Sequence, residues 1–91
     1  MKLGNFSQQA GERESYTVHY EDDLASGDRL TDATAQASPD GVQHSLFVFD
    51  NRVRIWCEGG VVGTRYQFAL TVYTEQGRIL IDHFSVRIRQ E

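Results

Sequence analysis

The chain holds one cysteine, Cys57, and one proline, Pro39, among 91 residues. A lone cysteine closes no internal disulfide, which excludes the stapled secreted mini-domains and fits folding in a reducing cytoplasm. Met1 to Ala10 has no apolar core of signal-peptide length, and no run approaches a membrane span, so neither a leader nor a membrane is expected. The nine Lys and Arg residues form no cluster along the sequence, and thirteen acids bring the formal net charge to −4, with a pI of about 5.2. An acidic chain without a basic stripe is not expected to bind nucleic acid. Arg52, Arg54, Arg65, Arg78, Arg87 and Arg89 instead recur as solvent-facing positions along strands. Helical period is missing everywhere.

What is present is period two. Apolar residues are 40% and charged residues 24% of the chain, ordinary for one globular domain near the small end of what a single core stabilises. Tyr66, Phe68, Leu70 and Val72 alternate with Arg65, Gln67, Ala69 and Thr71, the signature of a half-buried antiparallel strand. Val53, Ile55 and Cys57 alternate with Arg52, Arg54 and Trp56, and Phe84, Val86 and Ile88 with Ser85, Arg87 and Arg89. Weaker strands are expected at Ser15–Tyr20, at Leu30–Ala37 (an edge, given its Ala and Asp content) and at Leu46–Phe49. Turns are marked at 38–41, at Asp50-Asn51, at 59–63 and at 75–78. Six or seven short strands at this spacing predict an all-β domain, a sandwich or small barrel, over residues 15–91. Residues 1–14 are polar and read as an arm that could order on docking.

Catalytic and ligand-binding chemistry finds little support. His19, His44 and His83 lie on three elements, and none stands at zinc-ligand spacing from another His, Cys or acid. Cys57 sits on the apolar face of its strand and reads as a small buried hydrophobe rather than a nucleophile. Glu21, Asp22, Asp23 and Asp28 lack the alternating ligand spacing of calcium loops. Gly59-Gly60-Val61-Val62-Gly63 has no lysine and no following helix, so it is a tight turn and not a phosphate loop. Trp56 is expected as a core aromatic, the alternative being a partner-facing residue. With Tyr66 and Tyr73 it would also be the nearest candidate for a sugar-stacking platform. No catalytic, metal or cofactor residue is assigned, and the protein is read as non-enzymatic.

Several motifs carry a resemblance. Gly11, Glu12, Arg13 and Tyr16 are followed by Gly27, Asp28 and Leu30. The most specific stretch runs Val53-x-Ile55-Trp56-x-x-Gly59-Gly60-x-x-Gly63-x-x-Tyr66, then Thr74-x-x-Gly77-Arg78 and the closing Phe84-x-Val86-x-Ile88. In this order they resemble the fiber-tail adaptor proteins of tailed bacteriophages, over roughly Gln9 to Glu91. The resemblance implies an immunoglobulin-like antiparallel β-sandwich of six to seven strands and no cofactor. It further implies a virion protein, made in the host bacterial cytoplasm, that joins the tail or head–tail connector to tail fibers in several copies around the tail axis. Its partners would be other virion proteins. Cys57-Glu58 stand after the tryptophan, where a threonine, serine or other small residue is expected, and Val61-Val62 follow the glycine pair, an apolar turn tip that suggests a contact surface. Gly59, Gly60, Val61, Val62, Gly63 and Trp56 are therefore the expected partner contacts, together with the arm. A capsid decoration protein and a carbohydrate-binding or adhesion module are the alternatives.

Overall fold

In the computed structural model of this chain, residues 2–90 are described, and they form seven strands and no helix. In order these are β1 (Lys2–Gln9), β2 (Arg13–His19), β3 (Leu30–Ser38), β4 (Val42–Phe49), β5 (Arg52–Gly59), β6 (Arg65–Thr74) and β7 (Ile79–Arg89). One sheet runs β1-β7-β6-β3 and the other β2-β5-β4. All pairings are antiparallel except β1 with β7, which is parallel. The second, fifth and fourth strands in one sheet and the third, sixth and seventh in the other is the immunoglobulin division of strands. The expected all-β immunoglobulin-like sandwich is thus the fold of the chain, with the first strand carried across to the edge of the last.

Alternation builds the core. The inward residues of β5 (Val53, Ile55, Cys57), β6 (Tyr66, Phe68, Leu70, Val72) and β7 (Phe84, Val86, Ile88) are all buried. Phe68 lies directly opposite Phe84 in the β6–β7 register, and their rings stack at 4.8 Å with 3° between planes. Side chains of this size contribute about 1.5–3 kcal/mol each when fully buried, so β5, β6 and β7 dominate the hydrophobic stabilisation. The turns follow local chemistry. Asp50 and Asn51 both have positive φ, 47° and 59°, as a two-residue type I′ hairpin requires, and they close β4 onto β5. Thr74 and Arg78 close β6 onto β7, with the Thr74 N–H donating to the Arg78 carbonyl at 3.0 Å.

Two expectations differ from the structure. Residues 2–9, expected within a polar arm, form β1, which pairs with β7 from Lys2↔His83 to Gln9↔Arg89. The strand escapes detection because one of its inward residues is an amide. Gln8 is 2% exposed; its Nε2 donates to the Cys57 carbonyl at 3.3 Å and to the Glu12 carbonyl at 3.2 Å, and its Oε1 accepts from Tyr16 Oη at 2.7 Å. A buried amide satisfied on both ends replaces the apolar residue that alternation would have flagged. Trp56, expected in the core, lies on the outer face of β5, opposite Val53, Ile55 and Cys57, and is half-buried. The tryptophan of immunoglobulin cores sits on the third strand, and here β3 turns Leu30, Ala33, Ala35 and Ala37 inward and no aromatic, so Trp56 occupies no equivalent position.

The molecule is elongated, 45 × 19 × 17 Å. The β1–β2, β3–β4 and β5–β6 connections gather at one end, and the β2–β3, β4–β5 and β6–β7 connections at the other.

Candidate functional site

The β5–β6 connection is a braced corner. Tyr66, buried at the start of β6, accepts at its Oη the N–H of Val61, five residues upstream, at 2.8 Å. This is the tyrosine corner of immunoglobulin-like sandwiches, formed on the expected strand. Further backbone bonds tie the loop to β7: Gly63 N–H to the Ile88 carbonyl at 2.8 Å, and Ile88 N–H to the Thr64 carbonyl at 3.0 Å. Gly60 packs so close to Tyr66 and Ile88 that it leaves no room for a Cβ. The candidate contact residues therefore separate. Gly60 serves the corner, while Val61 and Val62, 62% and 44% exposed, stand at its tip. An apolar pair held in solvent by a rigid loop is a surface feature that packing within the chain does not explain.

Trp56 belongs to a different surface. The register of the small sheet lines up Ser15, Trp56 and Ser45, then Thr17, Arg54 and Phe47, then His19, Arg52 and Phe49 across its outer face. The Arg13 guanidinium lies 4.1 Å from the Trp56 ring centre, and that of Arg54 lies 5.1 Å from Phe49 and 5.9 Å from Phe47. Arg52 is held by Glu21 at 2.7 Å. Aromatic and arginine side chains interleaved on an open sheet face match the composition of protein interfaces. Phe47, 46% exposed, and Phe49 were not among the sequence candidates, because the short apolar run 46–49 does not reveal which of its residues face out. The sugar-platform candidates do not share a surface. Tyr66 is in the core, Tyr73 is on the outer face of the large sheet, and Trp56 is on the outer face of the small one.

The remaining chemical candidates are tied into the scaffold. Cys57 is fully buried, and burial pushes its thiol up to about 11. Such a thiol is protonated at neutral pH and shielded from reagents. Iodoacetamide should label the native protein slowly and the urea-unfolded protein rapidly, which intact-mass spectrometry resolves; fast native labelling would contradict the burial. His19, His44 and His83 sit on β2, β4 and β7, and His44 Nε2 lies 3.1 Å from the Ala35 carbonyl. Among the described residues, no three His, Cys, Asp or Glu side chains come together as a metal site would require. In the acidic segment, Asp28 acts as a clamp: its Oδ1 accepts the Arg29 N–H at 2.9 Å and the Gln76 N–H at 3.0 Å, joining the β2–β3 and β6–β7 connections. Burial pushes the Asp28 carboxyl upward, but these bonds, the Thr74 hydroxyl and the Arg78 charge outweigh it and leave the group below its usual value. Glu21 is lowered first by its hydrogen bond from Arg52.

The fold is a disulfide-free immunoglobulin-like sandwich whose unexplained features are exposed surfaces. The family model described as podophage GP4 fiber-tail adaptor protein gp77 matches residues 8–87, and the chain belongs to that family. It is a family of phage tail components, structural in kind, in agreement with the resemblance carried by the 53–66 motif. No curated protein matches the chain.

Proposed function

We propose that this chain is a non-enzymatic adaptor that joins the tail, or the head–tail connector, to tail fibers, in several copies around the tail axis. The observation that carries this reading is the family match over residues 8–87, which spans nearly the whole sandwich. A rigid sandwich with two loop ends and two open faces suits a bridge, because contacts on opposite sides are held at fixed separation. Val61 and Val62 meet one neighbour at the loop end, and the Trp56 face offers a second contact. Its working location is the virion.

The test substitutes the tip. Val61→Ser with Val62→Ser should leave the melting temperature within about 2 °C of wild type, since both side chains are solvated in the free protein. Incorporation into particles should fall about tenfold, the loss expected when roughly 1–2 kcal/mol of apolar contact is removed. Antibody label on wild-type particles should appear at the neck or tail. Label spread over the capsid would replace the adaptor by a decoration protein.

A further inference from the structure

Three of the six arginines that recur along the strands converge. Arg65 on β6 stands directly opposite Arg87 on β7, and Arg89 follows two residues on, on the same outer face of the large sheet and close to the Val61–Val62 corner. Like charges directly opposite one another in an antiparallel pair repel. Among the described residues the adjoining strand positions are neutral. The flanking positions on β1 are Ser7, opposite Arg87, and Gln9, opposite Arg89; beyond Arg65, β6 and β3 present Gln67 opposite Ser38. Arg65 Nη1 donates to Ser85 Oγ at 3.1 Å, a neutral partner that in turn donates to Asn5. Among the described residues no carboxylate pairs with Arg65, Arg87 or Arg89, although the chain has thirteen acids and matches Arg29 to Glu75 and Arg52 to Glu21 elsewhere. Between the triad and the corner lies an open notch of about 440 Å³, lined by Val62, Gly63, Arg87, Ile88, Arg89 and Gln90.

We infer that this face is a docking site for an acidic polypeptide segment of a neighbouring virion protein. It rests on the adaptor reading and deepens it by naming the chemistry of one partner. Two or more carboxylates on that segment take the guanidinium forks of Arg87, Arg89 and Arg65, and an apolar residue beside them fills the notch against Val62. Guanidinium groups bind carboxylates through paired, charge-assisted hydrogen bonds, and binding removes the repulsion that the free protein tolerates. Nucleic acid is the less suitable polyanion: the chain as a whole is negative, and three arginines beside an apolar notch make too small a basic surface to outweigh that charge.

The experiment adds full-length protein to tailed particles assembled without it and measures occupancy against protein concentration at about 50 mM and about 500 mM NaCl. Wild type should bind and lose affinity at the higher salt. Arg87→Glu with Arg89→Glu should bind about tenfold or more weakly at low salt, with a reduced salt dependence. Its melting temperature should be unchanged or higher, because like-charge repulsion is relieved. Arg87→Gln with Arg89→Gln should be intermediate, and Val61→Ser with Val62→Ser should lose affinity but keep the wild-type salt dependence. Charge-reversed protein binding as wild type does, with the same salt dependence, overturns the docking site and leaves the adaptor reading standing. Wild type that does not bind particles overturns both. Tight binding of a short double-stranded DNA by wild type, lost on charge reversal, would make the site a nucleic-acid contact and overturn the acidic-protein assignment.

Discussion

Phe68→Ala should destabilise the protein by about 3–5 kcal/mol, the range for truncating a buried aromatic. Phe68 has no exposed surface. On one side its ring stacks on Phe84; the His44 ring meets it edge-on, with centres 5.5 Å apart. It sits on the central pair of the large sheet, between β3 at Ala37 and β7 at Phe84. Its removal would leave a cavity walled by strands hydrogen-bonded on both sides, which can collapse only by distorting two ladders. Single domains have about 5–15 kcal/mol in total, so the variant should stand near the edge of unfolding. Urea titration followed by Trp56 fluorescence measures this: the midpoint should fall sharply at an unchanged slope. A loss below about 1.5 kcal/mol would mean that the β6–β7 core repacks freely, contrary to the tight stacking of the two rings.

How much of this was legible in the sequence depended on whether a residue's partner mattered. Phe68 and Phe84 could be placed in the core because alternation is a property of each strand alone. The same holds for Val53, Ile55 and Cys57, and for the Asp50-Asn51 turn, whose two positive φ values suit those residue types. Gln8 could not be placed, since an amide is inward only if carbonyls and a hydroxyl from other elements satisfy it, here those of Cys57, Glu12 and Tyr16. Trp56 departs from expectation for a related reason. Alternation puts it opposite Val53 and Ile55 and its size alone argues for burial, whereas Arg13 from β2 covers its ring on the outer face. Arg65 and Arg87 are separated by twenty-one positions, and only the β6–β7 register makes them neighbours. Surface constellations across strands are invisible to any reading that treats one strand at a time, and those are the features an adaptor uses.

Gly60→Ala should be the most damaging glycine substitution in the β5–β6 corner, at about 2–6 kcal/mol, and comparison with Gly59→Ala shows why. Gly60 has φ +99°, and a Cβ there would lie 2.8 Å from Ile88 Cγ1 and 2.9 Å from Tyr66 Cε2. Both neighbours are buried, at 0% and 1% exposure, so neither can swing into solvent. Backbone strain of about 1–3 kcal/mol adds to overpacking of about 1–3 kcal/mol. Gly59 also has positive φ, +79°, but its Cβ would meet nothing within 4 Å. Its replacement should therefore cost only the backbone term, about 1–2 kcal/mol. Thermal melts of the two variants separate the contributions, and equal losses would show that steric crowding against Tyr66 and Ile88 is absent. The consequence extends to the exposed tip. Any shift of Tyr66 to relieve the clash moves the hydroxyl that holds the Val61 N–H, and any shift of Ile88 moves the backbone bonded to Gly63 and Thr64. Gly60→Ala should thus lower particle incorporation beyond what its stability loss explains, even at temperatures where it is fully folded. Gly59→Ala, folded at the same temperature, should incorporate as wild type does. That contrast ties the placement of Val61 and Val62 to the packing of one glycine against the core.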